Sequence, residues 1–276
     1  MKRLLVVSTL VAGILLAGGC GKTASPAGGT KVVKAAKSAV LFSKEDVAGD
    51  DTGAGTYVYP TDKVFVPGAF DLLGVTVKDA GDSYAISLKI ATDFKNDWKS
   101  AGGWDVQMFD VYFNLGTGKH HQTISGRHVK IAEGWDVAVM VGPDKPTRMR
   151  KEIDDKNSDV ADDVSDPENL VDDVLIPDEI SIEGDTLTAK ISKDKIGDLS
   201  KLNGVQAFVL GAEGYPSKED TYNRVVNEYA AQYRFGGGSD YFGDPNVMDI
   251  LGDNSKLADY KSDEGTSEYP TVDLVK

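Results

Sequence analysis

The sequence predicts an all-β domain, a single β-sandwich with long loops and an acidic surface insertion. Three observations carry this expectation. Short alternating or β-branched runs recur between residues 72 and 211. Glycine and aspartate separate these runs as turn residues do. No stretch keeps one clean apolar helical face; residues 219–233 come nearest, and their apolar positions do not stay on one side.

The elements follow in order. Residues 72–78 (LLGVTVK), 83–90 (SYAISLKI), 106–115 (VQMFDVYFNL) and 137–141 read as strands. Residues 180–182 and 186–191 flank Glu183-Gly184-Asp185, a hairpin turn. The apolar run 205–211 (VQAFVLG) fits a buried strand. No internal repeat is visible.

The chain has 276 residues, with 30 Lys and Arg against 44 Asp and Glu, a formal charge of −14. One cysteine excludes a disulfide framework and a Cys-cluster metal site. The acid surplus argues against nucleic acid, whose phosphates are held by surplus Lys and Arg. That charge is unevenly placed. Lys2 and Arg3 precede the uncharged run 4–19 (LLVVSTLVAGILLAGG), too short and Gly-rich for a membrane span but suited to a signal-peptide core. It ends in Leu16-Ala17-Gly18-Gly19-Cys20, which resembles the lipobox of bacterial lipoproteins, with Ala17 where Leu is commoner. The resemblance implies that residues 1–19 are removed and that Cys20 carries a diacylglycerol, anchoring the chain to a bacterial membrane outside the cytoplasm.

Residues 20–44 then read as a flexible tether: Lys22, Lys31, Lys34, Lys37 and Lys44 stand among Ala, Gly, Ser and Thr with no acid. These lysines either lie on anionic headgroups, at about 1 kcal/mol each, or serve solubility alone. Every acidic residue lies in 45–276 against 23 of the 30 bases, a net −21 for the expected domain. Twelve of those acids fall in residues 152–179 beside a single Lys, which reads as a surface excursion, since such charge is not buried. Within it Asp155, Asn157, Asp159, Asp163 and Asp166 have the 1-3-5-9-12 spacing of a calcium loop, although Val160 holds the place where the turn wants Gly. The alternative is a solvated, self-repelling loop.

Four blocks point to a family. Residues 49–72 carry Asp50, Asp51, Gly53, Gly55, Tyr57, Tyr59-Pro60-Thr61-Asp62, Phe65, Pro67-Gly68 and Phe70-Asp71. The second runs from Asn96-Asp97-Trp98 to Asp110-Val111-Tyr112, and the third holds Gly126-Arg127 and Gly134-Trp135-Asp136. The last contains Arg224-Val225, Tyr233-Arg234-Phe235-Gly236-Gly237-Gly238 and Asp244-Pro245-Asn246-Val247-Met248-Asp249-Ile250-Leu251. In this order they resemble the glucodextranase C-terminal domain family. Asp97 stands where that family tends to have Pro, Tyr233 where it has Trp, and Lys99-Ser100-Ala101 replaces a Gly-rich stretch. The resemblance implies a sandwich of the DOMON and family 9 carbohydrate-binding-module type, an accessory module without hydrolytic machinery.

Sugar binding needs aromatic faces for pyranose C–H groups. Trp98 and Trp104 end a Gly-flanked stretch and either form a platform or plug the core, and Tyr57 and Tyr59 point to one face together, lining a groove or packing under the following loop. Trp135 is either a further contact or a core plug. A second chemistry is a calcium ion shared between two loops, one with Asp50 and Asp51, the other with Asp240, Asp244 and Asp249. The alternative is that Asp50 or Asp244 caps turns. Gly236–Gly238 lacks the Gly-Lys-Ser/Thr of a phosphate loop and reads as a tight bend. His120, His121 and His128 lie beside Lys119 and Arg127, which repel a metal cation. No G-x-S-x-G and no specific carboxylate pair supports an enzyme. The expected function is a lipid-anchored, non-catalytic module for a polysaccharide, an α-glucan or a cell-envelope polymer. The alternatives are a calcium-stabilised structural module and, disfavoured by the lack of helices, a solute-binding lipoprotein.

Overall fold

The computed structural model describes residues 38–160, 167–216 and 219–276. The expected leader, Cys20 and most of the tether lie outside the described residues, as do Asp163 and Asp166. In chain order come β1 (Val40–Glu45), β2 (Leu72–Asp79), β3 (Ser83–Ile90) and β4 (Gln107–Asn114). The hairpin of β5 (His120–Gln122) and β6 (Lys130–Trp135) precedes β7 (Val137–Val141) and helix α1 (Pro146–Lys156). Next are β8 (Val174–Leu175), β9 (Glu179–Glu183), β10 (Thr186–Ser192), the short α2 (Lys193–Ile196) and β11 (Gly204–Gly211). The chain closes with β12 (Asp249–Ile250), β13 (Lys261–Asp263), β14 (Thr266–Glu268) and β15 (Thr271–Val272).

Two five-stranded sheets, ordered β1-β2-β3-β10-β9 and β12-β11-β4-β7-β8, share one apolar core, so the all-β sandwich is the architecture. The alternation in β3 explains the first sheet. Tyr84, Ile86, Leu88 and Ile90 point inward, while Ser83, Ala85, Ser87 and Lys89 face outward and remain partly or fully exposed. Phe109, Val111 and Phe113 of β4 and Val205, Ala207 and Val209 of β11 meet them from the second sheet. Each buried Val, Leu, Ile or Phe among them contributes roughly 1.5–3 kcal/mol on burial.

The second sheet is covered on both faces, which is why β4 and β11 read as continuous runs rather than alternations. Its outer face packs Met108, Tyr112, Phe208 and Leu210 against Trp135, Met149, Ile153 and Val272 in a second core. The small β15-β6-β5 sheet, α1 and the intervening loops supply that cover.

One residue of β4 does not fit an apolar layer. Asp110 has no exposed surface, and Arg127, equally buried, reaches it: Nε donates to Oδ2 at 2.6 Å and Nη2 to Oδ1 at 3.1 Å. The remaining Arg127 nitrogen donates to Ser125 O, Thr221 O and Asn223 Oδ1. Each of the three nitrogens of this guanidinium thereby reaches at least one acceptor, which favours a buried charge pair. Gly126, at φ +91°, makes the approach possible: a Cβ there would lie 2.6 Å from Asn223 Oδ1.

Three sequence expectations are corrected. The stretch read as a tether over 20–44 already contains most of β1, because Leu41 and Phe42 pack on the first core and the strand pairs with β2. The missing expectation is a helix elsewhere, since 219–233, whose apolar positions keep no one side, forms none and Tyr222 there adopts φ +65°. The helix of useful length is α1, with Pro146 at its start, Met149 and Ile153 one turn apart on its buried face, and Arg150–Asp154, Lys151–Asp155 and Glu152–Lys156 pairs on the surface. The acidic stretch therefore begins as a helix and not as a loop. Further along, Glu168 and Asp173 turn in to grip His120, at 3.2 and 2.8 Å. Burial lowers that imidazole's pKa, but the two carboxylates raise it by more, so the net direction is up.

Removing one partner of the Asp110–Arg127 pair leaves a bare buried charge. Arg127→Met should cost about 3–5 kcal/mol, read from urea unfolding, and adding Asp110→Leu to that variant should recover part of the loss. A single variant within 1 kcal/mol of wild type, by the ~1 kcal/mol scale of an ordinary substitution, would contradict this assignment.

Candidate functional site

The aromatic site is built on the 96–105 loop. Asn96 Oδ1 accepts from Ser100 N at 2.7 Å, closing the turn. Asp105 holds it from below, accepting from Trp98 N at 2.9 Å and Ser100 Oγ at 3.0 Å. Trp98 is thus fixed by its backbone while 42 % of its surface stays exposed. Its ring meets Phe65 and Tyr233 edge to face, each at 5.9 Å, and Tyr233 is itself 46 % exposed. Behind them Phe65, Phe70, Phe235 and Tyr59 interlock at 5.0–6.4 Å.

A cleft of about 150 Å³ opens beside Trp98, floored by Asp105, Asp144, Glu213 and Tyr222. Its carboxylates are already engaged: Asp144 by the Tyr222 hydroxyl and Arg148, Glu213 by Arg224 at 2.7 Å. Burial pushes the Asp144 pKa up, but Tyr222, the Lys145 amide and Arg148 outweigh it and hold the group below its usual value. An exposed, rigid indole can stack on a sugar face while the carboxylate oxygens beside it accept sugar hydroxyls.

The other aromatics predicted for this role do not join it. Trp104 is fully buried, with Nε1 donating to Gln107 O at 2.8 Å, so the two-tryptophan platform is not formed. Trp135 is equally buried, packed on Tyr112 and His120 and donating to Gln122 O at 2.8 Å; it plugs the second core. Tyr57 is buried with its hydroxyl on Pro245 O at 2.9 Å. Tyr59 faces inward, donating to Asp51 and accepting from Phe70 N. The shared direction of the two tyrosines serves the core because Gly236 and Gly237 let the closing segment cross 56–58 closely: a Cβ on Gly237 would sit 2.0 Å from Thr56 O. Tyr233 was legible only as a departure from the family pattern.

The acidic candidates divide into separate places. Asp50 and Asp249 do meet, and Asp71 joins them: one oxygen from each lies within 4.8 Å of the others. Asp46 adds its field to the same group. Burial, then the neighbouring Asp50, Asp46 and Asp71, push the Asp249 carboxyl up to about 9; burial also lifts Asp46 to about 6. Asp51 is turned away to Tyr59, and Asp240 is exposed elsewhere. Asp244 is used up by Ser239 N, Ser239 Oγ and Tyr260, at 2.7–3.0 Å, and holds a turn. The described members of the expected 155–166 calcium loop are not brought together, Asp163 and Asp166 lying outside the described residues. Asp155 belongs to α1 and pairs with Lys151, and Asp159 is exposed. Asn157 is buried and spends its amide on Ser125 N, Ile153 O and Thr221 Oγ1.

With this geometry in place, the comparisons with known proteins are specific. Residues 41–268 match the family model of the C-terminal binding module, SLH-like, of glucodextranase. No curated protein matches the chain.

The burial of the tryptophans sets a stability order. Trp104→Ala and Trp135→Ala should each cost about 3–5 kcal/mol as core truncations, and Trp98→Ala under about 1 kcal/mol, measured by urea unfolding. Equal losses at Trp98 and Trp104 would contradict the placement of the exposed indole.

Proposed function

Because the chain belongs to the family of the glucodextranase C-terminal binding module, we propose that it is a non-catalytic carbohydrate-binding protein whose sugar contact is the Trp98–Tyr233 surface. The observation that carries this reading is an exposed tryptophan whose backbone is locked by Asp105 and whose ring is braced by Phe65. A rigid aromatic loses little conformational freedom when a ligand stacks on it, so most of its contact area converts to affinity. The cleft beside it offers acceptors for hydroxyl groups, on the scale of one or two sugar rings at the surface and not of an enclosed small-molecule cavity.

The state of Asp144 in the cleft supports binding without cleavage. Glycoside hydrolysis requires a carboxylic acid kept protonated to give its proton to the leaving oxygen. Asp144, in the cleft, is instead held ionised by a hydroxyl, an amide and a guanidinium. The ligand class is a polysaccharide, an α-glucan or an envelope polymer. The lipobox-like segment ending in Cys20 supports placing the module on a membrane outside the cytoplasm, with the basic stretch before β1 as its spacer.

Affinity electrophoresis against amylopectin, pullulan, dextran and peptidoglycan tests the ligand class. At least one polymer should retard the protein, and Trp98→Ala should weaken that retention about tenfold, equivalent to ~1.4 kcal/mol. Retention that is absent for every polymer, or untouched by Trp98→Ala, contradicts the reading. For the anchor, labelled palmitate should enter the expressed chain and be lost in Cys20→Ser; label that survives the substitution removes the lipid.

A further inference from the structure

Among the residues of the Asp50–Asp71–Asp249 group and its neighbours Asp46 and Asn254, four buried oxygens have no hydrogen-bond partner: Oδ2 of Asp46, Oδ1 of Asp50, Oδ1 of Asp71 and Oδ1 of Asn254. Leaving a buried acceptor unpaired costs on the order of 1–3 kcal/mol, so four on neighbouring residues call for a common partner. Asn254 is only 7 % exposed, and Asp71 only 5 %. Asn254 reaches the group directly, since its Nδ2 donates to Asp50 O while its oxygen stays bare.

The opposite oxygens are held by the backbone. Gly252 N donates to Asp46 Oδ1 at 3.0 Å, and Gly49 N to Asp71 Oδ2 at 2.9 Å. Asp249 receives Leu72 N at 2.7 Å and Ile250 N at 2.8 Å. Each of these three carboxylates is therefore oriented from outside, the way outer partners orient metal ligands. None of the ion pairs among the described residues supplies a Lys or Arg to these four aspartates. Buried like charges persist only when paired or bound to a metal. The donors are all oxygen, with no imidazole or thiolate, a set that suits a hard cation and not zinc or copper. A cavity of about 760 Å³, lined by Asp46, Asp50 and Asn254, opens beside them and gives an entry path.

We infer that Asp46, Asp50, Asp71, Asp249 and Asn254 form a binding site for a hard divalent cation of the calcium class, which fastens the edge strand β1 to the closing segment of the sandwich. The residues come from the end of β1, the following loop, the entry to β2, β12 and the turn after it. A single ion there joins both ends of the domain. It secures the strand nearest the N-terminal segment, where pull from a membrane anchor would first act. The site is separate from the aromatic surface, so its fate is independent of the sugar reading.

Calorimetric titration of the chelator-treated, detergent-solubilised full chain with calcium chloride tests the site, with magnesium chloride as the comparison. Calcium should bind more tightly than magnesium, and at a hundredfold excess over Kd it should raise the melting temperature by about 5–10 °C. Amide exchange in β1 and in residues 252–258 should slow on calcium addition. Asp71→Asn keeps the shape and relieves repulsion: it should raise the melting temperature of the chelated protein and lower that of the calcium-loaded one. No binding heat up to about 10 mM calcium overturns the proposal. A wild-type melting temperature equal with and without calcium overturns it too, as does an Asp71→Asn protein stabilised in both conditions, the mark of a protonated carboxyl network. Asn254→Ala, which leaves all four carboxylates, should weaken calcium binding at least tenfold, and unchanged affinity removes Asn254 from the site.

Discussion

Asp110 stands in the middle of β4 with no exposed surface, and the outer half of the molecule is organised around reaching it. A lone carboxylate in that layer would be prohibitively unfavourable. Arg127 meets it, and the other donors of the guanidinium then fix Ser125, Thr221 and Asn223. From this point order spreads in two directions. Asn223 and Asn246 both donate to Gly126 O, at 2.9 and 2.8 Å, and Asn246 N donates to Arg127 O at 3.0 Å. The 221–226 segment continues to Arg224, whose guanidinium lies over Phe65 and bonds Tyr233 O beneath the aromatic surface. The 246–249 segment delivers Asp249 to the carboxylate group through the Met248 N bond to Val209 O, 2.9 Å. One buried ion pair thus positions both candidate sites.

The strands were legible where one face is wet. In β2, β3, β9 and β10 the alternation of apolar and polar residues survives in the sequence because only one side is buried. The runs at 106–115 and 205–211 gave strands but not their surroundings; full burial of β4 and β11 requires a second cover that comes from distant segments. Helix α1 escaped notice because only Met149 and Ile153 mark its inner face and the rest is charge. The 219–233 segment keeps no single apolar face in the sequence because its apolar residues serve scattered contacts, with Val226 in the first core and Tyr222 in the second.

The sites show the same division. Trp98 is recognisable as one of three tryptophans, but exposure is decided by Asp105 and Phe65, which no local pattern reveals. Asp50 and Asp249 were readable as partners because acids in Gly-rich closing loops of a sandwich often come together. Asp46, Asp71 and Asn254 complete their group only through side-chain contacts between segments some 200 residues apart, such as the Leu72 N bond to the Asp249 carboxylate, 177 positions apart. Asp240 and Asp244 show how a shared loop misleads: Asp244 is spent on its own turn, and Asp240 faces outward.

The central claim is that Trp98, and neither of the other two tryptophans, is the surface on which a polysaccharide stacks. Acrylamide quenching of tryptophan fluorescence addresses it directly, because Trp104 and Trp135 are sealed from solvent. The account predicts one quenchable component that disappears in Trp98→Phe and is shielded when a retained polysaccharide is added. A quenchable component that persists in Trp98→Phe, or one that the bound polysaccharide leaves fully open to acrylamide, would contradict it.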